Sequence, residues 1–144
     1  MPDGFGKYMA MILDSVPREN VPVSNAGGRV RVFFEEVALD EQTAGDKIAI
    51  ARLPKGAVPL AVMLLTTTSL GTTTVAIHND ESGDDEVELV SATTFTDTNE
   101  PTLFGEADAM GEPLEKQMDF VMETAEATMP SSGTLRVAIL YMVD

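Results

Sequence analysis

From about Gly28 onward, apolar and polar residues alternate with a period of two, the spacing at which successive side chains point to opposite faces of a strand. Val30, Val32 and Phe34 alternate with Arg29, Arg31 and Glu35, which predicts a half-buried strand with an apolar face covered and a charged face in solvent. The adjacent Glu35 and Glu36 interrupt that phase before Val37 and Leu39 resume it, so a bulge or a strand end is expected near Glu36. A turn at Ala44-Gly45-Asp46 leads to a second strand, in which Ile48 and Ile50 alternate with Lys47, Ala49 and Ala51. Leu53-Pro54-Lys55-Gly56 ends it.

The third strand sets Val58, Leu60, Val62 and Leu64 on one face and Ala61, Met63 and Leu65 on the other. With both faces apolar, it is expected to be a central strand covered on two sides or a subunit contact. Pro59 cannot donate to a ladder, which places it at the start of the strand or on an unpaired edge. Threonines on both sides of Leu70-Gly71 suggest a hairpin into a fourth strand carrying Thr73, Val75 and Ile77. Val87 to Phe95 reads as a fifth strand after the polar loop Asn79 to Glu86. Asp97 to Lys116, with two Pro and two Gly, reads as a long surface crossover in which Glu106 to Met110 makes one helical turn.

Met118 to Thr124 forms a sixth strand, Met129 to Gly133 a turn, and Leu135 to Val143 a seventh. Leu135, Val137, Ile139, Tyr141 and Val143 share one face of that last strand, which is expected in the middle of a sheet. Seven or eight short strands with almost no helical period imply an all-β fold, an antiparallel sandwich or barrel, over residues 28–144. Residues 1–27 do not share the pattern. They read as an arm in which Phe5, Tyr8, Met9, Met11, Ile12 and Leu13 precede Val16-Pro17, Val21-Pro22 and Gly27-Gly28. So apolar an arm calls for a cover, either its own sandwich or a neighbour. Those six residues are therefore the candidate contacts with a neighbouring subunit or partner surface.

Composition narrows the functional classes. The chain of 144 residues carries 24 acidic and 9 basic residues, a formal charge of -15. Such a surface repels phosphate backbones and anionic lipid, so neither nucleic acid nor membrane is an expected partner. The stretch from Tyr8 to Leu13 falls short of a secretory signal's apolar core, and the longest later apolar runs are too short to span a bilayer as helices. Zero Cys excludes disulfides, thiolate nucleophiles and thiolate metal sites, and a single His argues against a His-based metal centre or catalytic relay.

Candidate chemistry fares no better. The acidic run Asp80 to Glu86 invites calcium, yet an EF-hand beginning at Asp80 would need Gly where Asp85 stands and Glu where Ser91 stands. Some carboxylate pair among 24 acids meets glycosidase spacing by chance, and the aromatic platforms of a sugar cleft are lacking in a chain with no Trp. His78 is expected to face solvent or a polar partner. No Ser sits in a Gly-x-Ser-x-Gly frame, and Gly4-Phe5-Gly6-Lys7 lacks the spacing of a phosphate loop. Nine Met residues suit a packed core or an adaptable interface. The expectation is a non-enzymatic protein without cofactor or metal.

The run from Ala44 to Ala57, with its AGD turn, alternating strand and LPKGA turn, resembles a segment of small structural proteins of tailed bacteriophages. Leu70-Gly71-Thr72 and the terminal Tyr141-Met142-Val143-Asp144 resemble the same group. The similarity covers residues 28–78 and 134–144. It implies a capsid decoration, or cement, protein with a jelly-roll sandwich, made in the host cytoplasm and bound to the outside of the assembled head. It also implies the major capsid protein and further copies of itself, a trimer foremost, as partners. A receptor- or glycan-binding module of a phage fibre or spike, using the loops Asn79 to Glu86 and Asp97 to Gly111, is the alternative.

Overall fold

The computed structural model describes residues 29–81 and 83–143. Eight strands follow one another: β1 (Arg29–Ala38), β2 (Lys47–Leu53), β3 (Val58–Thr66), β4 (Thr74–His78), β5 (Glu88–Thr94), β6 (Thr102–Phe104), β7 (Met118–Ala125) and β8 (Thr134–Val143). They form two antiparallel four-stranded sheets, ordered β1-β8-β3-β6 and β2-β7-β4-β5. Only β4 and β5 are both consecutive and paired, so the chain crosses between the sheets at every other connection. This is the jelly-roll sandwich.

The core lies where the two inner faces meet. Val62 and Leu64 of β3 and Leu135, Val137 and Ile139 of β8 pack against Val75 and Ile77 of β4 and Met118, Phe120 and Met122 of β7. Each such side chain contributes about 1.5–3 kcal/mol by leaving water. Polar groups caught between the layers are paired. Thr124 Oγ1 donates to the Thr43 carbonyl at 3.0 Å, and Thr66 Oγ1 donates to the Thr68 carbonyl at 2.6 Å. Asn79 braces the loop before β5, donating through Nδ2 to the Asp85 carbonyl at 2.7 Å and accepting the Val87 N–H at 3.0 Å. Among the described residues, no buried side-chain nitrogen or oxygen lacks a hydrogen-bond partner.

The strands anticipated from periodicity are present, and β8 lies between β1 and β3 as its clean alternation implied. Five expectations are corrected. First, β1 is inverted: Val30, Val32 and Phe34 point out, 59%, 55% and 56% exposed, while Phe33, Glu35 and Val37 point toward the other sheet. Second, no bulge occurs near Glu36, because β1 pairs with β8 without a register shift from Arg29 to Ala38. Third, Leu70-Gly71 does not close a hairpin: β3 and β4 belong to different sheets, and Leu70 is buried as the chain passes between the layers. Fourth, the crossover after Asp97 contains β6, three residues paired with Val62, Met63 and Leu64 of β3. Fifth, β3 does not keep Val58, Leu60, Val62 and Leu64 on one face: a register shift between Pro59, the second residue of the strand, and Ala61 leaves Leu60 36% exposed and Val58 on the outer face, while Val62 and Leu64 enter the core.

Candidate interaction surface

An antiparallel ladder places directly paired residues on the same face, so the register defines the outer surface of the β1-β8-β3-β6 sheet. One cross-strand row is Val30, Met142 and Val58; the next is Val32, Leu140 and Ala61. A third runs across all four strands as Phe34, Ala138, Met63 and Leu103, with Leu103 68% exposed. Every side chain in these rows is apolar. Val58 and Ala138 are buried yet stand apart from the inter-sheet core. The fourth row, Glu36, Arg136 and Leu65, closes the patch with an ion pair, Arg136 Nε to Glu36 Oε1 at 3.0 Å. Two rows on three strands and one on four make a footprint on the order of 400 Å². That is as large as the biggest apolar patch a monomeric protein usually exposes, and such patches mark contact sites.

Most of the basic side chains among the described residues are neutralised, three of them away from this face. Lys47, Arg52, Lys116 and Arg136 are each paired with a carboxylate, to Asp80, Asp119, Glu81 and Glu36. Arg29, Arg31 and Lys55 make no ion pair with another described residue. Arg31 and Lys55 line one shallow groove of about 440 Å³ with Pro54, Gly56, Tyr141 and Val143, at the end of the sheet where β1 begins. The hydrogen bond from Lys47 holds the Asp80 carboxyl below its ordinary value, and that from Arg52 does the same for Asp119.

Elsewhere the surface offers little chemistry. A cleft of about 240 Å³ between the β5 entry and the turn at 106–109 is walled by Glu86, Glu88, Glu106 and Asp108. His78 hydrogen-bonds through Nε2 to Glu123 Oε2 at 2.8 Å and accepts the Asp80 N–H at Nδ1, so the lone imidazole is tied into the β4–β7 surface. Among the described residues, no three His, Asp or Glu side chains are grouped to hold a metal ion. The turn expected at Glu106 to Met110 forms, with Met110 N–H donating to the Glu106 carbonyl at 2.9 Å. Phe5, Tyr8, Met9, Met11, Ile12 and Leu13 lie outside the described residues.

Reading the sequence alone missed the outer face of this sheet as a surface. Its trace was the second apolar set of β3, Ala61, Met63 and Leu65, which already pointed to a cover or a subunit contact.

No family model matches the chain, and no curated protein does. Solved structures do. A chain of the cyanophage Pam1 capsid asymmetric unit superposes with a TM-score of 0.65 at 22% identity, covering 100% of both chains. A chain of the capsid of Ralstonia phage GP4 gives 0.61 at 18% identity, over 88% of this chain and 92% of that one. A chain from the capsid of the Helicobacter pylori bacteriophage KHP30 gives 0.54 at 14% identity, over 79% and 87%. The likeness is one of fold.

Proposed function

We propose that this chain is a bacteriophage capsid decoration protein, a non-enzymatic clamp that binds the outside of the assembled head and bridges neighbouring major capsid subunits. The observation that carries this reading is the end-to-end correspondence with a chain of the Pam1 capsid asymmetric unit. Two similar folds from other phage capsids and the uncovered apolar sheet face support it. The protein acts as an oligomer, a trimer foremost, and the arm residues Phe5, Tyr8, Met9, Met11, Ile12 and Leu13 contact a neighbouring subunit or the shell.

The mechanism needs contact area and no reactive group. Anything that binds the closed shell and not the opened one shifts the equilibrium toward closure, by about 2.7 kcal/mol per site at a hundred times its dissociation constant. A sandwich whose polar interior groups are all satisfied transmits load across a seam without yielding. The acidic exterior, -15 per chain, keeps decorated particles apart in solution.

The test is to titrate purified protein onto undecorated heads. Saturable binding at a fixed ratio to capsid subunits, with a raised disruption temperature, is expected. Binding to bare cells or immobilised sugars without binding to heads would instead establish the fibre-tip reading. Removal of residues 2–24 should lower occupancy; unchanged occupancy would take the arm out of the account.

A further inference from the structure

We infer that the outer face of the β1-β8-β3-β6 sheet is the seat for residues 5–13 of a neighbouring copy of this chain. The inference rests on the proposed self-association and specifies its contact.

The seat has the right chemistry and little else to recommend it to a polar ligand. Val32, Phe34 and Leu103 stand more than half exposed on a face with no unpaired charge in its three apolar rows. Residues 5–13 bring six large apolar side chains in nine positions with one charge, Lys7. Burying them against the sheet removes apolar surface from water on both partners at once.

Area and charge decide between a whole second subunit and an arm. A rigid face-to-face dimer through this patch would cover on the order of 400 Å² per partner, about half of what stable pairs need. It would also press together two bodies that each carry -15. An arm avoids both difficulties. Residues 14–28 can span up to about 50 Å, several Debye lengths at physiological salt, so the bodies stay separated while the contact forms. The same reach extends to a neighbour's face. The three apolar rows extend only about 20 Å along the strands, and β1 starts at their edge. Fully extended, residues 14–28 reach well beyond that distance, which brings the next molecule's face within range.

The chain contains no Cys, which makes the test clean. Full-length protein carrying Met11→Cys is mixed with full-length protein carrying Val32→Cys and oxidised mildly, in the absence of heads. Disulfides between different positions can then form only between molecules. The expected result is an M11C–V32C cross-link about tenfold above that of M11C with Ala92→Cys, a control on exposed β5 in the opposite sheet. Phe34→Asp in the full-length chain should weaken self-association, read by sedimentation, about tenfold, while the dissociated chain loses only the few degrees of unfolding midpoint that a half-exposed ring accounts for. No excess over the control pair overturns the inference, as does an oligomer that survives Phe34→Asp. A chain carrying both M11C and V32C that cross-links only within itself also overturns it, and makes the arm a cover for its own sheet. Because no heads are present, none of these outcomes depends on whether the protein decorates capsids.

Discussion

Truncating Phe120 and Phe34 to Ala in separate variants tests whether the sandwich faces are assigned correctly. Phe120 is fully buried on β7 between the sheets, whereas Phe34 is 56% exposed on β1. Phe120→Ala forfeits a transfer term and leaves a cavity, about 3–5 kcal/mol in a packed core. Phe34→Ala removes a ring that the isolated subunit covers by less than half, and it opens no cavity, so its cost is about 1 kcal/mol. For a chain of this length, a loss of about 4 kcal/mol lowers the midpoint by roughly 10 °C or more, and a loss of about 1 kcal/mol by roughly 2–4 °C. The assays are thermal and denaturant unfolding followed by far-UV circular dichroism, since the chain has no Trp, at concentrations low enough to keep it dissociated. The denaturant slope should stay constant in both variants. If Phe34→Ala costs as much as Phe120→Ala under dissociating conditions, β1 faces the other way and the exposed apolar surface does not exist.

Gly133 has φ +120 and faces Thr68, so Gly133→Ala adds backbone strain and a clash with the Thr68 hydroxyl; a loss of about 2 kcal/mol or more is expected in equilibrium unfolding. Gly71, with φ +65 and open space around it, should cost only about 1 kcal/mol when changed to Ala. The Asp80 and Asp119 carboxyls, lowered by hydrogen bonds from Lys47 and Arg52, contribute stability that is complete above the ordinary carboxylate range. That contribution is lost as pH falls through their folded-state values. The stability gap between wild type and Asp80→Asn/Asp119→Asn should therefore narrow as pH falls below the ordinary carboxylate range; a gap that stays constant on acidification contradicts the pairing. Because -15 self-repels, raising NaCl from about 0.01 to about 0.5 M should raise the melting temperature by calorimetry, and a fall would show that the surface ion pairs dominate.

Strand positions were legible because a period of two survives any tertiary arrangement. Leu135, Val137 and Ile139 alternate so cleanly that both their strand and its central place followed. What periodicity cannot state is which face the partner sheet covers. On β1 the apolar set Val30, Val32 and Phe34 lies outside, while Arg31, on the inward side, escapes into the groove at the open end of the sandwich. Charge therefore misled the assignment of the buried side. The hairpin expected at Gly71 failed for a related reason: turn chemistry specifies a change of direction, and whether the chain returns to the same sheet is decided by long-range pairing. The three-residue β6 was too short to carry a period at all. The candidate surface was legible on one of its four strands, where Ala61 and Met63 marked the outer face.

Counting copies of this polypeptide per purified virion, by quantitative mass spectrometry against the major capsid protein, is the most direct check on the proposed role. Hundreds of copies in a fixed ratio to the shell are predicted for a protein that clamps the head exterior. A handful of copies, or none, would contradict it.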